Sequence, residues 1–106
     1  MKLTKFEKDE RKFTKRCLKQ AGGELFSFPE MGCTIAINPL GKDQGENSDM
    51  VELTVSYCNF SAGDVWNRKR GEYVALNRWL AGQLIPVSRG WRTNKEIAAE
   101  FANFSN

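Results

Sequence analysis

The sequence predicts an α+β domain, a three-stranded antiparallel sheet covered by helices, in the order α-β-β-β-α-α. Three observations predict it. A Lys-, Arg- and Glu-rich segment from Thr4 to Ala21 has helical apolar spacing and stops at Gly22-Gly23. Three short runs with period-two alternation follow, and beyond Asp64 the spacing returns to helical. The 106 residues suit one domain, 1–106, with a single modest core.

The first helix has Thr4 and Glu7 at the spacing of a capping box, and its glycine pair is a natural stop. Phe6, Phe13 and Cys17, extended by Leu18 and Ala21, form its expected inner stripe. Glu24 to Phe28 reads as a strand, and the run from Pro29 to Gly32 as a turn. Cys33 to Asn38 is then the antiparallel partner, with Cys33, Ile35 and Ile37 on one face. Residues of about 39–49 are rich in Gly, Asp and Asn without periodicity, which predicts a mobile loop.

Met50 to Cys58 is the clearest strand. Val51, Leu53, Val55 and Tyr57 alternate with Glu52, Thr54, Ser56 and Cys58, giving one apolar and one wetter face. The apolar face needs a cover, and the helix expected from about Asp64 to Leu84 supplies it. Ser61 or Asp64 is its expected cap, and Val65, Tyr73, Leu76, Leu80 and Leu84 its core stripe. Gly71 inside this helix costs about 1 kcal/mol against alanine. That cost implies a kink or a close approach to the sheet or a ligand. Pro86 ends the element, and 87–92 reads as a connector. Thr93 and Glu96 then cap a short last helix that packs through Ile97, Phe101 and Phe104.

Composition excludes several chemistries. The chain has no histidine, which removes Ser-His and Cys-His pairs and the common zinc ligand sets. Cys17, Cys33 and Cys58 are odd in number and widely spaced, so free thiols in a reduced cytosol are expected rather than a disulfide framework. Asp43, Glu46 and Asp49 lack the spacing of a calcium loop. No paired carboxylate sits in an apolar frame suited to catalysis. The expectation is a non-enzymatic cytoplasmic protein with no cofactor and no metal. No apolar run is long enough for a membrane span, and the charged N-terminus is not a secretory leader. The oligomeric state is not set by the sequence.

The net charge of +3 conceals an alternation. Residues 1–23 carry eight basic and three acidic side chains, 24–64 one and seven, and 65–106 seven and three. The basic ends either neutralise the acidic middle or form a surface for acidic partners. Arg68, Lys69, Arg70 and Arg78 fall on the covering helix, where guanidinium groups can bind oxyanions bidentately. Trp79, and Trp91 between Arg89 and Arg92, are candidate interface anchors or stacking platforms. The alternative for the three tryptophans (Trp66, Trp79 and Trp91) is to lid a small core. The helix-strand-helix order also resembles double-stranded-RNA-binding domains in topology, although their lysine-alanine motif is not reproduced.

Cys58, Asp64, Trp66, Arg68, Lys69, Gly71, Ala75 and Arg78 together resemble a pattern of small phage- and plasmid-encoded accessory proteins. In that pattern a cysteine-ended strand and short loop precede Asp, an aromatic, a basic pair, Gly, and Ala near a final Arg. The resemblance covers about a fifth of the chain, with Trp66 where Phe is usual and Glu72-Tyr73 after the glycine. It implies a mobile-element origin and a life in the bacterial cytosol. It also implies a protein that binds and blocks host machinery, including defence assemblies such as CRISPR complexes. The expected partner is a host protein or ribonucleoprotein complex. Direct binding of DNA or RNA by the basic helices is the alternative.

Overall fold

The computed structural model describes residues 2–39, 50–58, 63 and 65–104. Helix α1 (Lys5–Gln20) is followed by strand β1 (Glu24–Phe28), a single 3-10 turn (Pro29–Met31), and strands β2 (Cys33–Pro39) and β3 (Met50–Tyr57). Helix α2 (Arg68–Leu80), strand β4 (Ile85–Ser88) and helix α3 (Asn94–Phe104) complete the chain. The α+β class holds, but the sheet has four antiparallel strands in the order β1-β2-β3-β4, and the element order is α-β-β-β-α-β-α. The additional strand spans the expected helix end at Pro86 and the first two residues of the expected connector, Val87 and Ser88. It is four residues long, contains Pro86, and exposes Ile85, so neither length nor alternation marked it.

Local chemistry sets the element ends. The Thr4 hydroxyl accepts from the Glu7 backbone at 3.1 Å, and the Glu7 carboxylate accepts from the Thr4 N–H at 2.9 Å, so the expected capping box is present. Gly22, with φ of 85°, takes the left-handed conformation just past α1. Asn67 caps α2, its Oδ1 accepting from Arg70 N–H at 3.2 Å, and the helix ends at Leu80 with Ala81 as its C-cap. The start near Asp64 and the extension to Leu84 are therefore corrected, because Val65 and Trp66 continue an apolar spacing without being helical. Ser61, Asp64, the 40–49 portion of the expected mobile loop and the Phe104 side chain lie outside the described residues.

The sheet is covered on both faces. On one, Cys33, Ile35, Ile37, Val51, Leu53 and Val55 pack against Ile97, Ala98 and Ala102 of α3, with Phe101 half-buried beside them. Each fully buried Ile, Leu or Val there contributes roughly 1.5–3 kcal/mol through area removed from water. Tyr57, expected on this buried face, is exposed. The other face carries Thr34, Ala36, Thr54 and Ser56 beneath α1 and α2, joined through Leu18, Ala36 and Leu76. The expected pairing is thus reversed: α3 covers the apolar face, and α2 covers the face read as wet.

Charge and volume explain the reversal. The inner side of α3 presents Ile97, Ala98 and Ala102 without a charge, whereas α2 buries only Glu72, Ala75 and Leu76. Val65 and Leu80, expected in its core stripe, are exposed. On α1 the buried positions are Arg11, Thr14 and Leu18, while Phe6 and Phe13 face outward at 71% and 65% exposure. A polar inner face on α1 meets a polar inner face on α2, and an ion cluster joins them.

At the start of α3, Thr93 N–H and Oγ1 each lie 3.0 Å from the Glu96 carboxylate, completing the expected capping box. The Thr93 backbone bond, then the Thr93 hydroxyl, hold Glu96 below its ordinary value of 4.5, and Arg92 adds attraction. A carboxyl lowered in the folded state stabilises fully above its unfolded value and loses that contribution as pH falls through the folded one. Glu96→Gln is therefore expected to lower the urea midpoint at neutral pH. The gap to the unsubstituted protein closes in acid, where both side chains are neutral.

Candidate functional site

The eight expected partner-binding residues separate into two groups. Arg68, Lys69, Arg70, Arg78 and Trp79 lie on α2, whereas Arg89, Trp91 and Arg92 lie in the β4–α3 connection. In the second group Arg92 is tied inward. Its Nη1 is 2.6 Å from Glu100, Nη2 donates to Ser88 O at 2.5 Å, and Nε donates to Arg89 O at 3.2 Å. Arg89 Nη1 reaches Arg92 O at 3.5 Å. These arginines staple the connector to α3, while Trp91 remains 88% exposed.

On α2 the cations differ in availability. Arg78 Nη1 donates to Val55 O at 2.6 Å, just beyond the point where the β3–β4 register stops at Leu53 and Ile85. Trp79 is half-buried on the Leu18, Ala36 and Leu76 cluster, so it serves the core. Arg68 Nε lies 3.4 Å from Glu72, although its side chain stays largely exposed. Lys69 and Arg70 are exposed and have no ion pair among the described residues. The outward presentation expected of all four cations holds in full for these two.

Glu72 organises the interior of the α1–α2 contact. It is 2% exposed, yet its carboxylate meets Arg11 Nη1 at 2.6 Å, Lys15 Nζ at 3.6 Å and Arg68 Nε at 3.4 Å. Tyr73 Oη donates to Glu10 at 2.8 Å in a second bond between these helices. One buried anion facing three cations leaves an excess of positive charge on this layer.

That excess extends over the surface. Helices α1 and α2 together hold eleven Lys and Arg against four Asp and Glu, a balance of +7, so the rest of the +3 chain carries −4. The sequence read three blocks of charge, and the fold sets the two basic ones side by side. Lys2, Lys8 of α1 and Lys69 of α2 line one depression of about 260 Å³, with no carboxylate among its described lining residues. Lys2 and Lys8 were missed because only the packing of α1 on α2 brings them to Lys69. Arg11 and Glu72 were missed because they are 61 residues apart and no local pattern couples them.

Cys17, Cys33 and Cys58 form no disulfide with one another. Among the described residues no group of three His, Cys, Asp or Glu side chains gathers as metal ligands would. No helix among them is long and apolar enough to cross a membrane. No family model matches the chain, and neither a curated protein nor a solved structure shows significant similarity to it.

Proposed function

We propose that the chain is a non-enzymatic binding protein that modulates or inhibits a bacterial nucleic-acid-handling or defence complex, in the phage-type role its residue pattern implies. The basic α1–α2 layer docks on an acidic surface of that complex. The observation that carries this reading is the meeting of Lys2, Lys8 and Lys69 in a depression with no carboxylate among its described lining residues. Lys69 and Arg70 add charge that no described anion neutralises. Segregated charge of this kind steers encounter with an oppositely charged partner and suppresses wrong ones.

Direct binding of DNA or RNA is the second reading, favoured by the same segregation. The described acids outside the layer do not all point at it. Glu24, for instance, accepts from Asn94 of α3 at 2.9 Å.

The double variant Lys8→Glu/Lys69→Glu tests both readings. Both side chains are exposed, so the melting temperature is expected to stay within about 2 °C of the unsubstituted protein. Partner capture from bacterial lysate is expected to be lost. A gel shift on bare duplex and single strands at low salt separates the readings. Retardation that weakens steeply with salt supports direct contact, through counterion release from phosphates. Capture and retardation unchanged in the double variant would remove this layer from the site.

A further inference from the structure

Beneath the first half of α2 a cavity of about 380 Å³ opens between the helix and strands β2 and β3. Its polar lining residues are Thr34, Ser56, Tyr57, Cys58, Trp66, Asn67, Arg70 and Arg78, with no carboxylate among the described residues that line it. Asn67 is the N-cap of the thirteen-residue α2, so the positive end of the helix dipole faces the same space.

Two of these groups lack partners among the described residues. Thr34 is 1% exposed, and its Oγ1 has no hydrogen-bond partner among them. The Nε1 of Trp66 is also buried and has none among them. Buried polar groups are nearly always hydrogen-bonded, and a missing bond carries the full desolvation penalty. Two such groups on one cavity call for an acceptor supplied from outside. The same strand face is closely overlaid by α2 at Gly71, where a Cβ would fall 2.5 Å from Thr34 Oγ1. Only glycine leaves that hydroxyl uncovered on the helix side.

We propose that this cavity is a binding site for a phosphomonoester. The dianion offers three terminal oxygens to a ring of donors, with Arg70 and Arg78 balancing its charge and the indole and hydroxyls completing its hydrogen bonds. The volume exceeds that of phosphate alone and falls in the range of small-molecule pockets, so a small organic group fits beside it. The site does not rest on the macromolecular reading above. Thr34 and Ser56 lie buried under α2, and Lys8→Glu/Lys69→Glu leaves them untouched.

Titration of ¹⁵N-labelled protein with inorganic phosphate and with glycerol 1-phosphate, at constant ionic strength in chloride, tests the site. The Trp66 indole N–H and the Gly71 amide are expected to shift saturably with both. Thr34→Val and Arg70→Gln are each expected to weaken binding by about tenfold, the scale of one charge-assisted hydrogen bond. Thr34→Val is expected to melt no lower than the unsubstituted protein, since its hydroxyl has no partner among the described residues to lose. This separates a ligand-binding hydroxyl from a structural one. No saturable shift with either probe overturns the proposal, as does a shift that persists with equal affinity in both variants.

Discussion

Replacing Glu72 with alanine is expected to lower folding stability by about 3–5 kcal/mol, read as a fall in the urea midpoint with an unchanged slope. The reason lies in what remains behind. Arg11, with only a tenth of its side chain exposed, loses the carboxylate 2.6 Å away and keeps its charge in a poorly hydrated position. Its Nε already has no partner among the described residues, so no described neighbouring acceptor compensates. Lys15 and Arg68 lose an attraction too, but they reach water and contribute less. The double variant Arg11→Met/Glu72→Leu is expected to recover most of the loss, because it removes both charges and fills their volume. A single Glu72→Ala variant that unfolds at the same urea concentration as the original would show that the cluster contributes nothing net.

Gly71→Ala is expected to destabilise by about 1–3 kcal/mol, the usual cost of overpacking. Helix propensity alone predicts the opposite sign, a gain of about 1 kcal/mol. Packing wins because the new Cβ would sit 2.5 Å from Thr34 Oγ1 and 3.4 Å from Thr34 Cβ, inside the contact of α2 with the sheet. Thr34 is β-branched and buried, so it has little freedom to turn aside. Combining the change with Thr34→Ala is expected to restore stability, and a thermal melt of the four proteins in the cycle gives the coupling. Purely additive melts would place the strain elsewhere.

These two positions show where sequence patterning is informative. Gly71 is legible as an anomaly because glycine in a helix has a known cost, and close approach to the sheet was one of its expected causes. Glu72 is not legible, because a buried carboxylate looks like any surface glutamate until its distant partner is placed. The same limit misdirected the reading of α1. Phe6 and Phe13 were expected inward as the largest apolar residues, but the inner face belongs to Arg11, Thr14 and Leu18. Strands β1, β2 and β3 were legible because period-two alternation survives even where both faces are covered. Thr54 and Ser56 were read as wet for the same reason, yet they are buried under α2.

The candidate site was legible as chemistry and less so as geometry. Lys69 and Arg70 stand outward as expected. Arg78 is engaged on Val55 because β4 is too short to reach that carbonyl, and β4 itself was hidden by Pro86. Trp91 is exposed, whereas Trp79 is half-buried on the core. No one-dimensional pattern distinguishes those two tryptophans.

Pro86 also bears on how the molecule behaves among copies of itself. It lies in β4, at one end of the strand order, opposite Glu52 in the register. A proline has no amide hydrogen to offer a foreign strand, and a segment of four residues is a poor template for growth. Ile85 and Trp91 can therefore stand in water near this border with less risk of fibrillar stacking than an open, regular ribbon would carry.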